Sequence, residues 1–229
     1  MMRKVIVSMI MLMIAITCNG EDSNPVYEPC SDTKVKKNDG FTFGLAFAPK
    51  ETFFLNQTQL SPCDKRLALV RSAKVALFRP KVDEISLLSV NTSDFRLGTA
   101  GAHMVAFAGR QFAARSPPVF VADGTHTVNS FTLVLEFQTG TLQNLFWKKY
   151  GCSACSGESV CVNNTDCAIP LSKCKSNGGE IDCSLGIQLA FSGTDKNYNV
   201  LNSWYEVANL RQYSLFGLYS KIRDVFTSR

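Results

Sequence analysis

The sequence predicts a mostly β protein: an antiparallel sandwich or jelly-roll-like domain with a cysteine-rich, disulfide-linked insertion and a short C-terminal helix. Three observations predict it. Apolar residues alternate with a period of two in three separate runs, turn-forming residues punctuate a series of further short apolar runs, and six cysteines crowd into one polar stretch, Gly151 to Cys183.

The chain begins MMRKVIVSMIMLMIAITCNGED, with Arg3 and Lys4 ahead of an apolar run from Val5 to Ile16 and small or polar residues at Thr17 to Gly20. A spanning helix needs about 20 apolar residues. This run is shorter and its flanks are those of a secretory signal peptide, so residues 1–20 are expected to be cleaved after Gly20. No later stretch is apolar enough to span a bilayer, and no transmembrane segment is expected after cleavage. The remainder, 21–229, is read as a single β-rich domain in which 151–183 form a cysteine-rich loop or subdomain. Sixteen phenylalanines and a 45% hydrophobic fraction call for a substantial buried core and argue against disorder.

The first strong run, FTFGLAFA, places Phe41, Phe43, Leu45 and Phe47 on one face and Thr42, Gly44, Ala46 and Ala48 on the other, as in a half-buried strand. FTLVLEFQ repeats the pattern through Phe131, Leu133, Leu135 and Phe137, and SLGIQLAFS through Leu185, Ile187, Leu189 and Phe191. Weaker strand candidates are Lys74 to Arg79, Asp83 to Val90, His103 to Gly109, Val119 to Ala122, Leu142 to Tyr150 and Ser203 to Ala208. At the end of the chain, Leu215, Leu218, Tyr219, Ile222 and Phe226 recur at helical spacing and predict an amphipathic helix.

Nine cysteines become eight once Cys18 leaves with the signal: Cys30, Cys63, Cys152, Cys155, Cys161, Cys167, Cys174 and Cys183. An even number in an exported chain favours disulfides over zinc thiolates or a redox dithiol at Cys152 and Cys155. The simplest pairing joins Cys30 to Cys63 and leaves the other six to pair among themselves. Three sequons, at Asn56, Asn91 and Asn163, lie in polar, turn-like contexts and are candidate N-glycosylation sites.

The chemistry-bearing residues form no recognisable catalytic site. There are two histidines, His103 and His126, with no serine-nucleophile, zinc-protease or phosphate-loop motif beside them. No catalytic residue, metal ligand or cofactor is assigned. The mildly basic charge lacks the dense stripe of a nucleic-acid binder. Trp147, Lys148, Lys149, Trp204 and Tyr205 form the candidate ligand surface if the aromatics are exposed, since exposed aromatics stack on sugar rings whereas buried ones fill a core.

Three longer blocks carry a family resemblance: ALFRPKVDEISLLSVN, FTLVLEFQTGTLQNLFWKKYGC and CSLGIQLAFSGTDKNYNVLNSWYEVANLRQYSLFGLYS. Through them the chain resembles a family of small secreted plant proteins labelled expp-type, which has no assigned activity. The resemblance implies a plant cell exterior or wall setting and brings no site residues with it. The resulting expectation is a secreted, non-enzymatic glycoprotein of the apoplast or wall, with a binding or structural role. Its partners would be a wall polysaccharide or another extracellular protein. The alternatives are a carbohydrate-active hydrolase using two carboxylates, drawn from Asp83, Glu84, Glu136, Asp182, Asp195 and Glu206, or a defence protein or protease inhibitor presenting the cysteine-rich loop.

Overall fold

A computed structural model describes residues 22–67, 73–90, 101–110, 114–155 and 157–210. Strands are numbered in chain order. The larger sheet runs β12 (Val160–Val162), β13 (Asp166–Pro170), β9 (His126–Thr127), β8 (Val119–Ala122), β6 (Ala102–Ala108), β1 (Phe43–Pro49) and β4 (Lys74–Phe78), with β7 (Ala114–Arg115) also on β6. The smaller runs β11 (Thr141–Trp147), β10 (Ser130–Gln138), β14 (Leu185–Thr194) and β15 (Val200–Leu201), with β5 (Ser86–Val90) also on β14. A small hairpin pairs β2 (Phe54–Leu55) with β3 (Thr58–Gln59).

The two sheets form a sandwich because their central strands each turn an apolar face to one shared core. Phe43, Leu45 and Phe47 of β1 and Met104 and Ala106 of β6 meet Leu133, Leu135 and Phe137 of β10 and Leu185, Ile187, Leu189 and Phe191 of β14 in one core. Phe137 is its pivot, edge-on to Phe41 with ring centroids 5.1 Å apart and stacked on Phe191 at 6.2 Å. Such aromatic pairs add about 0.5–1.5 kcal/mol beyond their burial.

The structure corrects three expectations. First, β1 is not half-buried: every residue from Phe41 to Ala48 is buried. Its second face lies under a smaller cluster made of Ala46, Ala48, Phe53, Leu67, Val105 and Phe107, which chain from the 50–67 excursion closes. Gly44 is essential to that arrangement, since a Cβ there would stand 2.2 Å from the Phe107 ring.

Second, β10 and β14 pair in parallel, from Ser130 opposite Gly186 to Phe137 opposite Gly193, whereas nearly every other pairing is antiparallel. The crossover between them contains β11 and the cysteine-rich segment. Third, Ser203–Leu210 is not a strand but a helix, α1. Its first turn is fixed by the Asp83 carboxylate, which accepts from the backbone N–H groups of Asn202 and Ser203 at 2.7 and 2.8 Å. This is the short C-terminal helix of the described residues. The stripe from Leu215 to Phe226 and the expected signal peptide, 1–20, lie outside them.

The cysteine-rich stretch is built into the fold. Its hairpin, β12–β13, extends the large sheet through Ile169 opposite Thr127 and Pro170 opposite His126. Bonds join Cys152 to Cys161, Cys155 to Cys167 and Cys174 to Cys183, while Cys30 joins Cys63 far from them. The segment is poor in apolar side chains, so cross-links and sheet pairing supply the constraint that burial cannot.

Buried acids hold the turns at the opposite end. Asp195 accepts backbone N–H groups from Lys37, Asn197 and Asn199 at 2.8–2.9 Å. Burial alone would raise its pKa, but those donors and the Asn199 amide outweigh burial and lower it below the ordinary 3.8. A carboxylate whose pKa is depressed by folding stabilises the native state above its unfolded value and loses that contribution as pH falls through the folded one. Melting curves from pH 7 to 2.5 are therefore expected to fall steeply below about pH 4. The Asp195→Asn variant should be less stable at neutral pH and show a shallower acid slope; an unchanged slope would remove Asp195 from this role.

Candidate functional site

An open cleft of about 370 Å³ lies where both sheets and the cysteine-rich hairpin converge. The large sheet contributes His103 from β6 and Val119 and Phe120 from β8, with Pro117 and Pro118 just before; the small sheet contributes Phe146 and Trp147 from the end of β11. Lys149 follows, and the hairpin adds Asn163 and Asp166, while Lys50 stands just beyond β1. A further crevice, around Ser31, Phe41 and Leu142, measures about 10 Å³, no more than a water requires.

Local structure explains how these side chains reach the cleft. Val119 and Val121 are buried, whereas Phe120 between them is half-buried, packing partly against the core while it lines the cleft. The imidazole of His103 sits edge-on to Phe120, with ring centroids 6.1 Å apart. Its Nδ1 is 2.7 Å from the Gly101 carbonyl oxygen. A carbonyl only accepts, so Nδ1 is the donor in this contact, which leaves Nε2 as the ring nitrogen free to meet a ligand. Lys149 forms an ion pair with Asp166, which also accepts the Thr165 hydroxyl at 2.7 Å. That pair straps the hairpin to the end of β11, and the Cys155–Cys167 bond anchors the hairpin one residue away. The Trp147 ring packs edge-on against Phe131, and its buried indole N–H has no acceptor among the described residues. A buried donor left unpaired costs about 1–3 kcal/mol.

The structure divides the ligand surface expected from the sequence. Trp147 and Lys149 belong to the cleft, although Trp147 is only 8% exposed and forms floor rather than rim. Lys148 instead places its ammonium 5.6 Å from the centre of the Trp204 ring on α1. Tyr205 is 66% exposed. Neither α1 aromatic lines the cleft. His103, Phe120 and Phe146 were not in that surface. The sequence signals for them were an imidazole opening an apolar strand and aromatics out of phase with buried neighbours.

The expected acids are not brought together in the cleft. Asp166 is the one carboxylate among its lining residues, and it is already paired. Asp83 holds α1 and pairs with Lys37 at 2.7 Å, Asp195 fixes a turn, and Asp182 accepts the Ser184 N–H at 2.9 Å. His126 sits in a turn organised by Asp123, which accepts its backbone N–H. Among the described residues, no group of three or more His, Cys, Asp or Glu is placed to hold a metal ion, and no helix is long and apolar enough to cross a membrane.

Two of the three sequons lie on described residues, and both crown hairpins. Asn56 and Gln57 (φ 47° and 66°) link β2 to β3, and Asn163 and Asn164 (φ 54° and 59°) link β12 to β13. Positive φ at both central residues marks the turn that matches strand twist, and Asn tolerates it well. Asn56 and Asn163 are exposed. Asn91 lies outside the described residues.

No curated protein and no solved structure matches this chain. A family model does match nearly the whole length, in two segments, 1–127 and 117–223: the chain belongs to the family described as Uncharacterised protein DDB_G0273449.

Proposed function

We propose that this is a secreted extracellular protein that binds carbohydrate without transforming it, using the cleft between the sheets and the cysteine-rich hairpin. One observation carries the reading: Phe120, Phe146 and Trp147 line a cleft together with the polar groups of Lys50, His103, Lys149, Asn163 and Asp166. Small-ligand sites combine an apolar, aromatic lining with a few placed polar groups and measure about 300–1,000 Å³. This cleft sits at the small end of that range, which suits one or two sugar rings. A sugar offers apolar C–H faces for the rings and hydroxyls for the imidazole and ion pair.

Binding is favoured over hydrolysis because the two-carboxylate mechanism needs acids about 5–10 Å apart across the bond, and the lining includes one. The signal-type N-terminus and four disulfides support an oxidising, extracellular compartment, where polysaccharides of a wall or matrix are the available ligands. The hairpin that a free inhibitory loop would require is built into the sheet and the cleft wall.

The test is a glycan array that includes pectic fragments, probed with Asn163→Gln protein so that no attached glycan competes, followed by titration of the best oligosaccharide with variants made in that background. Phe120→Ala and His103→Ala are each expected to weaken binding at least about tenfold, a loss of about 1.4 kcal/mol. Tyr205→Ala should leave binding unchanged. Binding to no glycan, or loss only in the Tyr205 variant, would overturn the reading.

A further inference from the structure

Asn163 is both the acceptor of an exposed sequon and a lining residue of the cleft. We propose that the N-glycan it carries is the cleft's own first ligand. Its innermost N-acetylglucosamine lies over Phe120 and Phe146, so that occupancy of Asn163 closes the site to other sugars. This inference rests on the carbohydrate-binding reading and specifies how that site is regulated.

Four features of the hairpin support it. Asn163 occupies the first central position of a tight turn, held by the Thr165 N–H donating to the Val162 carbonyl at 3.2 Å. Its side chain therefore issues from a fixed point instead of a loose loop. Thr165, the hydroxyl residue of the sequon, donates to Asp166, and Asp166 is paired with Lys149 from the opposite wall. The attachment point is thus tied to both sides of the cleft. The Cys152–Cys161 and Cys155–Cys167 bonds flank the turn and limit its movement. A tethered ligand has no translational entropy left to lose, and a short linker gives effective concentrations in the millimolar range. A sugar joined directly to the rim therefore occupies a site that binds free monosaccharide only weakly.

Attachment is a substitution with no change of oxidation state. The Nδ2 of Asn163 forms a bond to the anomeric carbon of the first sugar. The bond from that carbon to the pyrophosphate of a lipid-linked oligosaccharide breaks, and one Nδ2 proton leaves with the pyrophosphate. Asn56 provides an internal comparison, because its turn has the same kind of geometry but Asn56 is not among the cleft residues.

The experiment uses full-length protein secreted from a eukaryotic host in three forms: wild type, Asn163→Gln and Asn56→Gln. Amide hydrogen exchange is followed at Phe120, Phe146 and Trp147, with and without N,N′-diacetylchitobiose as the soluble probe. The expected result is slow exchange in wild type and Asn56→Gln, several-fold faster exchange in Asn163→Gln, and restored protection in Asn163→Gln alone when the probe is added. The best array oligosaccharide should bind Asn163→Gln at least about tenfold more tightly than wild type. An unmodified Asn163, or equal exchange in all three forms, would overturn the inference. Equal binding of the array sugar to wild type and Asn163→Gln would overturn it while leaving the carbohydrate-binding reading intact. No binding to any form, with no protection by the probe, would remove both.

Discussion

Replacing Gly193 by alanine is expected to remove several kcal/mol of stability and lower the melting temperature by more than about 10 °C. Gly193 pairs with Phe137 in the parallel register of β10 and β14, and its φ is +94°. A Cβ there would stand 1.9 Å from the Phe137 carbonyl oxygen, a backbone atom with no rotamer into which to retreat. Strained φ alone costs about 1–3 kcal/mol. The clash adds to it by forcing apart the strands that carry the centre of the core. Total stabilities of about 5–15 kcal/mol leave little margin for such a loss, and for a chain of this size each kcal/mol moves the midpoint by about 2–4 °C.

Gly186 on the same strand supplies the control. A Cβ there would meet nothing nearer than the Asn129 carbonyl oxygen at 3.7 Å. Gly186→Ala should therefore shift the midpoint by no more than about 4 °C. Equal effects at the two glycines would show that the close approach at Gly193 is not what matters.

The second large effect is expected at Cys30–Cys63, whose partners are separated by 33 residues. Loop closure of that length is worth about 3–4 kcal/mol in the chain-entropy model. The bond also lies beside the cluster that buries the second face of β1, where Phe53, Leu67 and Phe107 pack. The paired variant Cys30→Ala/Cys63→Ala should lose about that much in denaturant titration. Loss of less than about 1 kcal/mol would mean that the cluster holds without the bond.

The three alternating runs were legible because a strand with one face on a core writes its period directly into the sequence. The same pattern misled about β1, since Gly44, Ala46 and Ala48 read as an outward face and are covered by chain from elsewhere. Parallel pairing of β10 with β14 leaves no trace in a period of two, because alternation is the same whichever way the neighbour runs. At Ser203 the local signals conflicted. Trp204, Tyr205 and Val207 favour strand, whereas Ser203 with Glu206 three residues on is a helix-start pattern. The tertiary cap from Asp83 decides it, and sequence spacing does not reveal a partner so far away. The candidate site was half legible for the same reason. Trp147 and Lys149 stood out as an aromatic beside a cation, but Phe120 and His103 acquire meaning only when β6, β8 and the hairpin come together.

We propose that the cleft lined by both sheets and the cysteine-rich hairpin is where this protein meets sugar. The most direct measurement is a nuclear magnetic resonance titration of isotope-labelled Asn163→Gln protein with the oligosaccharide selected on the array. Shifts are expected to concentrate at His103, Phe120, Phe146, Trp147 and Asp166 and to saturate with one affinity. Shifts confined to Trp204 and Tyr205 on α1, or none at any of these residues, would contradict it.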